Sequence, residues 1–216
     1  MSSSSFSTIL RSRTWSDHAD SEGAGFMADL MEGNGSRDDY VALVAQHYFI
    51  YEALESVQAF QRDSEVAAGF ITDDLTRLPA LEADLQFLIG DDWREQISPM
   101  PSTVRYVERI NEVGATWSGG FIAHHYTRYL GDLSGGQMIY KVMQRTFGFE
   151  TDGIRFYLFD GISDARAFKV TYRDRLDAIN WSEDERDRII DEVTRAYRFN
   201  TELFNDLAEA KARAVA

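Results

Sequence analysis

Apolar residues recur at every third or fourth position through most of the chain, which is the period of one face of an α-helix. The longest such segment runs from Tyr40 to about Arg62. Ser36, followed three residues later by Asp39, is typical of a capping pair and predicts the start of that helix. Two helices are predicted within residues 5–33, and others over about 80–90, from a cap at Ser102 to about Val113, and over 117–147, 164–180 and 183–213.

Little in the sequence favours β-structure or a second domain. The aromatic run at 156–159 is the one segment with strand character, and it is short. The chain has only three prolines, which permits long helices. No repeat, linker or shift in composition divides the chain. We therefore predict an all-α fold, formed by a single domain of about eight helices over residues 1–216, with short flexible ends at 1–5 and 209–216.

The charge balance narrows the range of partners. The chain carries 22 basic and 36 acidic residues, a net charge of −14, with a pI near 4.6. Such a surface repels nucleic-acid phosphates and anionic lipid. Cysteine is absent, which excludes disulfides, thiolate metal ligands and a cysteine nucleophile. No segment has the features of a signal peptide or a membrane anchor. We expect a cytoplasmic monomer that binds neither nucleic acid nor membrane.

The most unusual segment is a helical stretch interrupted by Gly131, Gly135 and Gly136. A glycine in a helix interior is destabilising by about 1 kcal/mol relative to alanine. Gly131 and Gly135 are four residues apart, so they share one helix face that has no Cβ atom for a full turn. The spacing alone leaves two interpretations open. Either a flat ligand approaches the bare backbone, or a neighbouring helix packs closely against it.

Charged residues lie beside this glycine face. Arg128 and Asp132 are four residues apart on the adjacent stripe of the helix. A carboxylate next to exposed backbone can order a water molecule and relay protons. The alternative is a surface ion pair between the two side chains, which would contribute only about 0.3 kcal/mol. The spacing of the two residues does not by itself exclude either interpretation.

The segment Tyr126–Gln137 reads Tyr-Thr-Arg-Tyr-Leu-Gly-Asp-Leu-Ser-Gly-Gly-Gln and resembles the signature of the haem oxygenase family at all twelve positions. The resemblance extends from about residue 11 to 207. It implies a haem-oxygenase-like bundle in which haem b lies between a proximal helix that carries an axial histidine and a glycine-kinked distal helix. Haem would be both substrate and cofactor, and the protein would supply position and protons.

The resemblance also selects a ligand for the haem iron. The chain has four histidines, at positions 18, 47, 124 and 125, and their spacing alone does not choose among them. The matching family position is His18, which would bind the iron as a neutral imidazole. Glu22, four residues later, would accept the Nδ1 proton of His18 and orient the ring. The resemblance implies no ligand role for His124 or His125.

Four further positions match residues that contact the haem propionates in the family. Lys169 and Arg173 are four residues apart on one helix face, and Arg11 precedes His18 by seven residues on the predicted first helix. The fourth is Tyr126. Taken alone, each charged residue is better explained as a solvated surface group. The resemblance implies that together they set the rotation of the ring in its plane and direct cleavage to the α-meso carbon.

On the distal side, the resemblance implies a water network in place of a catalytic histidine. Gly131 and Gly135 would leave room for dioxygen to bend toward the ring edge. Asp132 would hold the water that supplies a proton. The other residues at matching positions around this network are Tyr51, Arg128 and Asn200. Tyr197 stands where the family often has phenylalanine.

The activity implied by the resemblance is O2- and reductant-dependent cleavage of haem to biliverdin, carbon monoxide and ferrous iron. Electrons would come from an NAD(P)H-dependent reductase or a ferredoxin, which the sequence does not identify. The alternative is a haem-binding or transfer protein of the same fold, which would need His18 and the basic residues but not Asp132. A thiaminase-like relative would need a catalytic cysteine, and a di-iron oxidase would need clustered Glu and His ligands; the sequence shows neither.

Overall fold

The computed structural model describes residues 5–22 and 25–215, with side chains described for 5–21 and 25–214. Regular secondary structure in these residues is entirely helical, which confirms the predicted all-α class. The α-helices are α1 (Phe6–Arg13), α2 (Trp15–Glu22), α3 (Gly25–Glu32), α4 (Arg37–Gln61), α5 (Leu78–Ile89), α6 (Trp93–Gln96), α7 (Pro101–Gly114), α8 (Ser118–Gly131), α9 (Gln137–Phe147), α10 (Ala165–Ala178) and α11 (Glu183–Val215). These helices outnumber the predicted ones for two reasons. The segments predicted at 5–33 and 117–147 each hold one more helix than expected, and the single-turn helix α6 was not predicted.

The N-terminal segment predicted to hold two helices holds three. The helix is interrupted at Thr14, whose hydroxyl donates a hydrogen bond to the carbonyl of Leu10 (2.9 Å) at the end of α1. The Thr14 amide also donates to the Leu10 carbonyl (3.1 Å), and the backbone then departs from helical angles, with Thr14 at φ −103° and ψ 6°. Arg11 therefore lies on α1 and His18 on α2, and the prediction that one helix carries both is wrong.

Helix α4 begins where the sequence predicts, at a reciprocal capping box. The Ser36 hydroxyl accepts a hydrogen bond from the Asp39 amide (3.0 Å), and the Asp39 carboxylate accepts one from the Ser36 amide (2.8 Å). The predicted cap at Ser102 is wrong. Helix α7 begins at Pro101, which suits a first helical position because it has no amide hydrogen to leave unpaired. The Ser102 amide instead donates to Asp206 on α11 (2.9 Å).

The aromatic run at 156–159 begins in a 3₁₀ turn, Arg155–Tyr157, and not in a strand. The buried carboxylate of Asp84 on α5 accepts hydrogen bonds from two amides of this turn (2.8 and 2.9 Å), which holds the turn in place. Tyr157 is consequently buried, and its ring lies against Gly136. The turn therefore supports the glycine-rich segment.

Helices α4, α7, α8 and α11 pack against one another at the centre of the bundle. Aromatic side chains on these helices are fully buried, among them Tyr51, Tyr106, Phe121 and Tyr129. Helix α11 has 33 residues and is about 50 Å long. This length allows it to contact α2 and α3 as well as the central helices. The N-terminal helices are thereby held over the same side of α11 that faces the glycine-rich segment.

The two ends of the chain differ in how far the structure describes them. Helix α11 continues to Val215, so the end predicted to be flexible is helical up to that residue. The predicted flexible start, residues 1–5, lies outside the described residues except for Ser5. Within the part of the chain that is described, no helix is both long and apolar enough to cross a membrane.

Candidate active site

Two adjoining cavities form a cleft between α2, the α8–α9 region and α11. The inner cavity has a volume of about 280 Å³ and the outer cavity about 580 Å³, which together suit a ligand pocket (roughly 300–1,000 Å³). Side chains of α3, α4 and α11 line the inner cavity, whereas α1 and α10 border the outer cavity. The residues that line both cavities are His18, Gly131, Gly135, Met138 and Tyr197.

The predicted interruption of the 117–147 helix is a π-helical turn, Asp132–Gly136, between α8 and α9. Such turns are rare and occur often at functional sites. A Cβ placed on Gly131 would meet no atom within 4 Å, so the interpretation in which a neighbouring helix packs against this glycine is wrong. At Gly136 the same atom would lie 3.2 Å from the Tyr157 ring. Bare backbone therefore faces the cleft at Gly131, and Gly136 is packed against protein.

Asp132 belongs to a buried polar cluster that joins three helices to the π-helical turn. The Tyr51 hydroxyl on α4 donates a hydrogen bond to the Asp132 carboxylate. Arg128 on α8 donates from Nε to the Tyr51 hydroxyl oxygen (3.3 Å) and from Nη1 to the Oδ1 of Asn200 on α11 (3.0 Å). Arg128 and Asp132 are only 6% and 8% exposed. The surface ion-pair interpretation is therefore wrong, and the four residues predicted to surround one site do lie together.

For both Asp132 and Arg128, burial and the charges within the cluster shift the pKa in opposite directions. Burial raises the pKa of Asp132, and the nearby Arg128 guanidinium and the Tyr51 hydrogen bond partly offset that effect. Burial also raises the pKa of Tyr51 well above its ordinary value, so its hydroxyl keeps its proton. Burial disfavours the charged form of Arg128, but Tyr51 and Asp132 outweigh it and raise the pKa of the guanidinium. The cluster thus pairs a permanent cation with one titratable carboxyl group.

The outer cavity carries the basic side chains predicted from the sequence. Arg11 on α1, Lys169 and Arg173 on α10, and Tyr126 on α8 all line it. Burial and the nearby Arg173 lower the pKa of Lys169. Burial raises the pKa of Tyr126, although the cations Arg173 and Arg11 oppose this effect. These side chains surround one opening and can bind an anionic group together.

Arg166 also lines the outer cavity, and the sequence analysis missed it. Its position was accessible to sequence reasoning, because Arg166 precedes Lys169 by three residues and therefore shares a face of α10 with it. Lys169 has a second set of contacts that the sequence did not indicate. Its Nζ donates hydrogen bonds to the carbonyl of Leu133 (3.0 Å) and the hydroxyl of Ser134 (2.7 Å) in the π-helical turn.

Two of the four histidines, His18 and His47, line the cleft, and the other two do not. His18 lines both cavities, its ring stacked on Trp15 and in edge contact with Tyr197 at centroid distances of 5.4 Å. His124 and His125 are fully buried and line neither cavity, because His124 is hydrogen-bonded to Glu192 (3.1 Å) and His125 to Tyr172 (3.0 Å). The prediction that Glu22 orients His18 concerns a side chain outside the described residues.

His47 is the residue that the sequence analysis missed most clearly. The resemblance implied no histidine on the Asp132 side of the cleft, yet His47 on α4 lines the inner cavity together with Asp132. The available signal was its spacing, since His47 precedes Tyr51 by four residues and so shares a helix face with it.

The comparisons with known proteins agree with one another. The family model described as "Heme oxygenase" matches residues 4–206. Heme oxygenase 1 of Synechocystis sp. is 36% identical over 198 residues, which cover 92% of this chain and 82% of that protein. Heme oxygenase 1 of Homo sapiens is 38% identical over 206 residues, 94% of this chain and 72% of the human protein.

Solved structures match the whole architecture. Heme oxygenase-1 from Synechocystis sp. PCC6803, solved in complex with heme, aligns with a TM-score of 0.92 at 34% identity and covers 98% of this chain and 96% of that chain. Heme oxygenase-2 from the same organism, solved with heme and NO, aligns with a TM-score of 0.93 at 32% identity, covering 99% of this chain and 89% of that one. The chain belongs to the haem oxygenase family.

Tyr51 is expected to hold the polar cluster together. Replacing it in Tyr51→Phe leaves the Asp132 carboxylate without its donor, so we expect the free energy of unfolding to fall by roughly 1–3 kcal/mol. Urea unfolding of the ligand-free protein measures this change. Tyr48→Phe is the control on the same helix, because the Tyr48 hydroxyl bonds to the exposed Glu52 (3.0 Å), and a change within about 0.5 kcal/mol is expected. Equal effects of the two substitutions would contradict the assigned role of Tyr51.

Proposed function

We propose that this enzyme of the haem oxygenase family cleaves haem at the α-meso carbon, in a reaction that consumes O2 and reducing equivalents and yields biliverdin, carbon monoxide and ferrous iron. The observation that carries the proposal is the bare backbone at Gly131, which faces a cleft lined by His18 and by Asp132. The solved relatives that contain heme support the same use of the cleft.

The residues of the cleft fit haem in three respects. A flat ring needs a wall without side chains, and a Cβ on Gly131 would meet open space. Two propionates need cations, and the outer cavity is lined by Arg11, Lys169 and Arg173. An iron ligand needs an accessible imidazole, and His18 lines both cavities. Haem, when bound, supplies the iron that activates O2 and the ring that is opened.

The role proposed for Asp132 is to hold a water molecule and pass its proton into the cleft. The Tyr51 hydroxyl donates to the Asp132 carboxylate and thereby orients it. Burial raises the pKa of this carboxyl group, and Arg128 and the Tyr51 hydrogen bond oppose the rise; the ionised carboxylate would accept a hydrogen bond from the water and so hold it in place. Asn200 holds the Arg128 guanidinium in place (3.0 Å). Positioned acid–base groups of this kind contribute roughly 10²–10⁴-fold to a rate.

The basic residues are proposed to set the orientation of the ring. Arginine offers two parallel donors to a carboxylate, whereas lysine acts as a point charge. Arg173 and Arg11 would therefore fix the direction of a propionate more strongly than Lys169, which also bonds to Leu133 (3.0 Å). We further propose that a ferredoxin or an NAD(P)H-dependent reductase supplies the electrons and that the enzyme acts as a cytoplasmic monomer.

Haem turnover separates this function from that of a haem-binding or transfer protein. The protein is titrated with haem without oxygen, then given O2 and a reductant, and the products are separated by isomer. We expect a green bilin that is mainly the α isomer, because the basic residues match the usual propionate contacts. Haem binding without any bilin would favour the transfer protein, and mainly β or δ isomers would contradict the proposed ring orientation.

His18→Ala is expected to remove the axial ligand without unfolding the protein, since His18 lies at the cleft and is only partly buried. The haem absorption and electron paramagnetic resonance spectra should lose the features of a nitrogen ligand. Added imidazole should restore them, because the space of the side chain is then free for it. An unchanged haem spectrum in this variant would exclude His18 as the ligand.

Asp132→Ala is expected to bind haem with unchanged histidine ligation and to form biliverdin at least about 100-fold more slowly, because the water at the cleft loses its anchor. Single-turnover absorption spectra measure both properties. Asp160→Ala serves as the control, since Asp160 is exposed and lines neither cavity. A normal biliverdin yield from Asp132→Ala would remove Asp132 from the mechanism.

A further inference from the structure

His47 is a buried histidine that none of the proposed catalytic steps uses. It lies on α4, one turn before Tyr51, and the two rings are 6.3 Å apart at their centroids. The Phe156 ring lies 5.1 Å away. His47 is only 5% exposed, and it lines the inner cavity.

The hydrogen-bonding capacity of His47 is not met by the described part of the protein. Its Nδ1 is buried and has no hydrogen-bond partner among the described residues. Burial, and secondarily the charge of Arg128, lowers the pKa of His47 well below its ordinary value, so the ring is neutral and has one donor and one acceptor nitrogen. A buried polar group without a partner is destabilising by roughly 1–3 kcal/mol. His47 also lines the inner cavity, where a bound water would offer the imidazole a hydrogen-bond partner.

The composition of the inner cavity indicates which ligand. One part of its wall is apolar and includes Met27, Met31, Leu43, Ile139 and Phe204. The other part carries Thr127, Arg128, Asp132 and Asn200. A buried water needs two to four polar partners, and a cavity of about 280 Å³ has room for it. An entirely apolar wall would leave such a cavity dry.

We propose that His47 is a positioning residue that binds an ordered water in the inner cavity and links this water to the Asp132–Tyr51–Arg128 cluster. The water would lie between the imidazole and the polar part of the wall. It would extend the hydrogen-bonded chain from which Asp132 draws protons. This role rests on the proposed function of Asp132, whereas the presence of the water does not.

The water can be tested in the ligand-free protein. Nuclear Overhauser spectra of selectively labelled wild-type protein should show a negative cross-peak between the His47 ring protons and water, which indicates a residence longer than nanoseconds. His47→Gln retains a polar group and should retain a long-lived water near the new side chain. His47→Leu should lose it. Absence of the cross-peak in the wild-type protein would overturn the proposal without any need for a variant.

Xenon provides the complementary probe, because it enters dry apolar cavities. We expect His47→Leu to bind xenon more tightly than the wild-type protein or His47→Gln, because the part of the cavity next to residue 47 is then apolar; ¹²⁹Xe NMR measures the binding. Equal xenon binding by all three proteins would show that the content of the cavity does not depend on His47 and would also overturn the proposal.

The haem-loaded enzyme then tests the link to the cluster. His47→Leu should keep the wild-type haem spectrum and form biliverdin more slowly, and His47→Gln should recover most of the rate. An unaltered rate in His47→Leu would overturn the link even if the water is found. Failure of the wild-type protein to form biliverdin would instead contradict the proposed function, so the two ideas fail separately.

Discussion

The cleft depends on the break in backbone hydrogen bonding at Asp132–Gly136. A helix that changes its hydrogen-bond pattern leaves carbonyl groups that need other donors. Here Lys169 Nζ donates to the Leu133 carbonyl (3.0 Å), and Gln137 Nε2 donates to the carbonyls of Asp132 (3.4 Å) and Tyr157 (2.9 Å). Side chains of the protein thus support the break that leaves bare backbone facing the cleft at Gly131.

The same break turns Asp132 toward α4 and α8, where burial of a carboxylate is energetically unfavourable. Removing a charge from water is unfavourable unless a partner and hydrogen bonds replace the solvent. Arg128 provides the partner charge, while Tyr51 and Asn200 provide hydrogen bonds. Replacing a buried ion pair by apolar residues of similar volume is often neutral or stabilising. The cluster is therefore better explained by what it does in the cleft than by a contribution to folding.

Much of this arrangement could be predicted from the sequence, because helical periodicity and a run of signature residues both act over short distances. The glycine face, the Asp132 cluster and the basic positions follow from spacing together with a family resemblance. The break at Thr14 could not be predicted, because neither glycine nor proline marks it and only a local change of backbone angles separates α1 from α2. The strand character of 156–159 was misleading because Asp84, distant in sequence, determines the local turn.

His47 and Arg166 show a second limit. Each is an ordinary helical position, and only the packing of other helices brings it to the cleft. His124 and His125 show the converse, because they adjoin the signature segment and yet point to Glu192 and Tyr172. Chemical type and nearness in sequence therefore do not identify a cleft residue when the deciding contacts come from α11 or α10.

The charge of the molecule differs in sign between its whole surface and its cleft. The chain carries a net charge of −14, but the outer cavity is lined by Arg11, Arg166, Lys169 and Arg173. Salt screens interactions beyond about 8–10 Å at physiological ionic strength. A small anion at the cleft therefore responds mainly to these four cations, whereas an extended polyanion also meets the acidic surface around them. This difference favours a compact dianionic ligand over an extended polyanion at the cleft.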